Sequence, residues 1–71
     1  MAFTDEEIDD IFTYHAPHGN QQDRYQSIRE GARIFAKILV TNTQASADQT
    51  AAIRYLRTAV MTANASIALE K

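Results

Sequence analysis

Two apolar runs with matched spacing constrain this 71-residue chain more than any other feature. Tyr25, Ile28, Ala32, Phe35 and Leu39 step by 3, 4, 3 and 4 residues, and Ile53, Leu56, Val60, Ala63 and Ile67 repeat those steps. Such spacing returns to one face of an α-helix at every turn and makes a heptad seam. Ile34 and Ile38 widen the first seam with a second flank. From Gln21 to about Thr41 only Gly31 weakens a helix, and the polar stretch Thr41–Ala45 has the length of a helix–helix turn. Ser46-Ala47-Asp48-Gln49 has capping-box form and opens the next helix. Two seams of similar length joined by about five residues predict an antiparallel helical hairpin, with helices over about 21–41 and 47–69.

A shorter helix is expected ahead of the hairpin. Thr4-Asp5-Glu6-Glu7 is a second capping box, and further acids in the first turns suit the positive end of the helix dipole. Ile8, Ile11 and Phe12 form an i, i+3, i+4 stripe, so the helix should span about 5–13. A helix this short is marginal alone in water and is expected to dock on something. Tyr14-His15-Ala16-Pro17-His18-Gly19-Asn20 holds the only proline and one of two glycines and reads as a loop. The fold class is therefore all-α: one domain over 1–71, with a short first helix and a long two-helix hairpin.

Size then argues for assembly. A chain this short rarely buries enough apolar surface to offset its ordering cost without disulfides, a metal or oligomerisation. There is no cysteine, which removes disulfides and thiolate metal sites. A homo-oligomer is the remaining expectation. Ala52, Ala59, Ala63 and Ser66 form a small-residue stripe beside the second seam, readable either as helix propensity or as a subunit contact. Residues 1–7 lack the regions of a signal peptide, no run approaches a membrane span, and Glu70-Lys71 is not a prenylation box. A soluble, intracellular protein is expected.

The net charge of −2 conceals an asymmetry: residues 1–13 carry five acids and no base, whereas residues 14–71 carry seven bases against four acids. An acidic protein is poorly suited to polymeric nucleic acid, where affinity rides on many phosphate contacts. A local basic patch for a small anion is compatible with it. Arg29, Arg33 and Lys37 lie at i, i+4, i+8 along one helix face, and Arg54 and Arg57 add a pair on the next helix. These residues read either as a solvated face, with Glu30 and the acidic first helix as partners, or as a phosphate-binding surface. Arginine suits the latter because its planar fork can bind two phosphate oxygens at once. Tyr14, beside the loop, could stack on a nucleobase, while Phe12 is better spaced to plug the first helix onto the rest.

No enzyme constellation is present: no cysteine nucleophile, Gly-rich phosphate loop, GxSxG or HExxH. His15 and His18 make an HxxH without a third ligand and read as ordinary loop histidines. Catalysis is not expected, and neither is a cofactor.

Four pieces of the chain, in order and spacing, carry a resemblance. They are Phe12-Thr13-Tyr14-His15-Ala16-Pro17, Arg24-Tyr25-Gln26-Ser27-Ile28-Arg29-Glu30, Phe35-Ala36-Lys37, and Ala59-Val60-Met61-Thr62-Ala63-Asn64-Ala65-Ser66-Ile67-Ala68. Together they resemble the phage anti-CBASS cyclic-oligonucleotide sponge family, related to the helical-hairpin domain of anti-Thoeris sponges. The resemblance implies a homohexamer that binds cyclic dinucleotides, and in some members cyclic trinucleotides, without cleaving them, in the cytoplasm of the infected bacterial host. It further implies that Tyr14 stacks on a base and that Arg29 contacts phosphate. Arg33, Arg57 and Asn64 join them as ligand-binding candidates by polarity and position. The chain departs from the family pattern at Ala16-Pro17, Gln44-Ala45 and Thr62, where relatives often carry Pro-Pro and prolines and many carry tryptophan; these departures bear on ligand preference. A helical adaptor or scaffold with no small ligand is the alternative expectation.

Overall fold

In the computed structural model, which describes residues 2–70, three helices follow one another with no strand among the described residues: α1 (Asp5–Ile11), α2 (Gln21–Asn42) and α3 (Ala47–Ala68). The expected long-helix boundaries agree to within a residue, whereas α1 stops two residues early. Phe12 is its C-cap, and the Thr13 hydroxyl turns back to donate to the Asp9 carbonyl, closing the last turn there. Met1 and Lys71, which the signal-peptide and prenylation readings touch, lie outside the described residues.

Local chemistry accounts for the starts of the helices. At α1 the capping box is complete: Thr4 Oγ1 accepts from the Glu7 amide at 3.1 Å, and Glu7 Oε1 accepts from the Thr4 amide at 3.2 Å. At α3 only half of the expected box forms. Ser46 Oγ accepts from the Gln49 amide at 3.1 Å, but the Gln49 side chain does not return to Ser46. Its Nε2 instead donates to Thr43 Oγ1 (2.9 Å) and to the Thr43 carbonyl (3.2 Å), pinning the α2–α3 turn to the first turn of α3.

The two long helices pack on each other, and contacts at both ends set their register. At the end away from the turn, Gln21 Nε2 donates to the Ile67 carbonyl at 2.9 Å. Arg24 grips Glu70 with both terminal nitrogens, at 2.7 and 2.8 Å. The α3 seam faces inward as its spacing requires: Ile67 is buried, and Ile53, Leu56, Val60 and Ala63 are half-buried. On α2 the seam is corrected at one position. Phe35 is half exposed and Ala36 takes the inward place, because a 3.6-residue helix drifts from a strict seven-residue repeat over several turns.

What the chain does not bury is the larger finding. Among the described residues only Ile67 and Gln21 are buried. Ile34, Phe35, Ile38 and Met61 are each about half exposed, and Tyr55 is more exposed still. The shape explains this: the molecule measures 45 × 31 × 15 Å, so its thin dimension holds a single helix layer, and one layer cannot close a core. Its radius of gyration of 15.6 Å exceeds the roughly 11 Å of a compact domain this long. Helix α1 packs on neither long helix. The expected plug is therefore absent: Phe12 is 83% exposed, as exposed as Tyr14, because α1 ends before it and reaches no surface of α2 or α3.

Candidate functional site

The long helices leave a groove between them, about 390 Å³ in volume, on the side where their arginines lie. Its floor is apolar, made by Ala32 and Ala36 of α2 and by Ile53, Leu56, Val60 and Met61 of α3. Alanine at both α2 positions leaves the α2 side of the floor without bulky side chains. Arg29 and Arg33, one turn apart on α2, and Arg57 on α3 complete the lining. Three of the five ligand-binding candidates thus meet in one place. Lys37, the next residue of the α2 stripe, and Arg54 are outside this lining; Arg54 lies in a neighbouring groove that shares Arg57 and Ile53.

The three guanidinium groups differ electrostatically. Arg33 is engaged by Glu30 through Nε (3.1 Å) and through a second bond from its terminal nitrogen. That hydrogen bonding lowers the Glu30 carboxyl below the usual carboxylate range and raises Arg33. The pair is an exposed i, i+3 bridge, of a kind worth little to stability, so a better anion can displace Glu30 cheaply. Arg29 and Arg57 make no ion pair with any described residue. An apolar floor flanked by two unpaired guanidinium groups and one loosely held is chemically suited to an anion that also has a flat, apolar part. Phosphate can take the forks while a planar ring lies over alanine, valine and methionine.

Tyr14 and Asn64 are not part of the groove lining. Tyr14 stands in the loop after α1, 83% exposed and with its face available. Asn64 lies one turn beyond Val60 and Met61 on α3, and its Oδ1 is buried without a hydrogen-bond donor among the described residues. An acceptor left so typically costs about 1–3 kcal/mol, so this oxygen is a place for a donor from water, ligand or another chain. His15 is turned toward α1, its Nε2 2.7 Å from the Asp10 carbonyl oxygen, and no group of three metal-ligating side chains lies among the described residues.

Sequence reasoning missed the polar cluster at the far end of the long helices, formed by Gln21, Arg24 and Glu70. A signal was available. One step of four back from Tyr25, the α2 seam falls on Gln21, and a polar residue at a seam position must find partners when it is buried.

Fold and groove together define a class: small all-helical proteins whose paired long helices carry an arginine-lined, apolar-floored groove. The chain belongs to the Acb2/Tad1 hairpin-domain family, the sponge family its sequence resembles, and the family model matches residues 4–68. That span takes in the capping threonine of α1 and ends with the last residue of α3. No match is found among curated proteins or among solved structures. No described helix is long and apolar enough to cross a membrane.

Proposed function

We propose that this protein is a phage-encoded anti-defence sponge. It binds cyclic dinucleotides of bacterial CBASS immunity, with cyclic trinucleotides as a second ligand class, and holds them without cleavage in the cytoplasm of the infected host. Membership of the family gives the reading its class. The observation that carries it is the meeting of Arg29, Arg33 and Arg57 around an apolar floor, two of them without a counter-ion among the described residues. A sponge needs no rate acceleration. It must lower free ligand below an effector's threshold, so ligand Kd and protein abundance govern its effect.

In this reading α2 and α3 form an antiparallel hairpin and the hairpins assemble as a homo-oligomer, a hexamer as the sequence resemblance implies. Support comes from the single-layer shape, the half-exposed Ile34, Phe35 and Ile38, and a face of small residues formed by Ser27, Gly31, Ala59 and Ala63. Tyr14 of one subunit then closes as a stacking lid over an arginine-lined pocket shared with its neighbour, and Asn64 Oδ1 accepts from ligand or subunit. A pocket shared between subunits binds two phosphates with few charges per chain, which reconciles anion binding with a net charge of −2.

The test is capture and recovery. Protein is incubated with cyclic GMP–AMP, free ligand is removed by filtration, the protein is digested, and the released material is chromatographed. Depletion followed by intact recovery is expected. Altered products would mean an enzyme, and no depletion across a panel of cyclic oligonucleotides would leave the adaptor or scaffold reading. Light scattering on the same sample reads the assembly.

A further inference from the structure

Residues 4–15 are held together by their own contacts. The capping box closes the start of α1, Thr13 bonds the Asp9 carbonyl, and His15 reaches the Asp10 carbonyl. Because α1 packs on neither long helix, the chain's path from this arm to α2 runs through the connector that follows. Within that connector Ala16 and Pro17 make no hydrogen bond to described residues, but their freedom is small: proline fixes its own φ and drives the preceding residue to extended backbone. Gly19 then turns the chain in the left-handed region, at φ 57°, where a side chain would be strained.

The connector is anchored at one side chain. Gln21, only 2% exposed, accepts from the His18 amide through Oε1 at 3.1 Å, while its own amide donates to the His18 carbonyl at 3.1 Å. Its Nε2 donates to the Ile67 carbonyl at 2.9 Å and approaches Glu70 Oε1 at 3.5 Å. No other described side chain hydrogen-bonds both the connector and α3. The task requires an acceptor and a donor on one planar group, which a carboxamide supplies and a carboxylate or thioether does not.

We propose that Gln21 is a positioning residue: by holding the His18 backbone and the Ile67 carbonyl together, it sets the direction in which the arm bearing Tyr14 leaves the long helices. The consequence for ligand rests on the proposed Tyr14 site; the geometric claim does not.

The absence of cysteine allows a direct test in the whole protein. Glu6→Cys on α1 and Thr58→Cys on α3, both exposed, accept paired spin labels. Doubly labelled chains diluted into excess unlabelled protein report the distance within one chain. The expected result is a single narrow distribution that broadens in Gln21→Met and stays narrow in Arg24→Gln, which cuts the Glu70 ion pair at the same helix ends but leaves the connector bonds. A narrow distribution in Gln21→Met, or equal broadening in Arg24→Gln, overturns the proposal. Should Gln21→Met fail to fold, Gln21→Glu carries the test. At pH 8 its ionised side chain can accept from the His18 amide but cannot donate to the Ile67 carbonyl, so the distribution should be broader than that of the unsubstituted protein; an equally narrow one overturns the assignment. Affinity for cyclic GMP–AMP, measured on unlabelled protein, separates the two readings. If unlocking spreads the arm over about ten orientations, Kd rises about tenfold. A broadened arm with unchanged Kd sustains the positioning role and refutes the Tyr14 lid, whereas a weakened Kd with an unmoved arm refutes the positioning role.

Discussion

Ile67→Ala tests the packing of the long helices most directly, because Ile67 is the one buried apolar side chain among the described residues. The substitution removes three carbons from a site 5% exposed, worth about 2.4 kcal/mol at roughly 0.8 kcal/mol per buried methylene. A cavity left behind would raise that figure toward about 4–5 kcal/mol. Here it should not. Ile67 borders an open groove lined by Arg24, Ser27, Ile28, Ala63 and Ser66, so side chains and water can move into the space. The expected cost is therefore close to the transfer value, about 2.5 kcal/mol, and for a chain this short it lowers Tm by roughly 10–20 °C. Urea denaturation monitored by circular dichroism at two protein concentrations measures it, with Phe35→Ser as the companion. Phe35 is half exposed in the single chain and should cost less than Ile67 at low concentration. If it costs more when the protein is dilute, or if Ile67→Ala costs under about 1 kcal/mol, the reasoning that the core of the chain lies at Ile67 is refuted. A Phe35 penalty that grows with concentration would instead show that a second chain covers that face.

Four further expectations follow from the geometry and the charge pairs. Arg57→Gln removes from the groove a guanidinium that makes no ion pair with any described residue, and should weaken cyclic GMP–AMP binding about 10- to 100-fold by calorimetry, on the scale of about 1.5–3 kcal/mol for a hydrogen bond to a charged group. Glu30→Gln releases Arg33 and should strengthen binding a few-fold, and a loss of affinity would show that the pair orients Arg33 rather than occupying it. Gly31→Ala adds a Cβ that meets nothing within 4 Å in the chain, so it should stabilise α2 by about 0.5–1 kcal/mol; loss of assembly in light scattering would mark Gly31 as a subunit contact. The Glu70 carboxyl is lowered chiefly by its hydrogen bond from Arg24. A lowered folded-state value contributes stability above the ordinary glutamate range, near about pH 4.3, that disappears as pH falls through the folded value. Tm should therefore drop on acidification below about pH 5, and less steeply in Glu70→Gln.

Much of the local structure was legible because it depends on neighbours in the chain. The two heptad seams, the Thr4 capping box and the polar turn each involve residues within a few positions of one another, so spacing and residue type sufficed. The basic residues were legible as a stripe, since i, i+4 spacing places Arg29 and Arg33 on one face. Their meeting with Arg57 was not, because it depends on how α3 lies against α2. Phe12 shows the limit most sharply: its spacing marks it as an apolar helix residue, but whether a surface lies within its reach is a property of the whole molecule, and here none does.

By itself, then, the sequence determined three helices, their boundaries to within two residues, the acidic character of α1 and the family to which the chain belongs. Only the tertiary structure decided that Ala36 rather than Phe35 turns inward, that the Gln49 side chain serves the turn instead of the cap, and that Gln21 and Ile67, 46 positions apart, share a hydrogen bond. The reason is physical. Helix formation and capping are governed by groups a turn or so apart along the chain, whereas burial and polar pairing between helices follow from the relative placement of two rigid rods, which no short window of sequence contains.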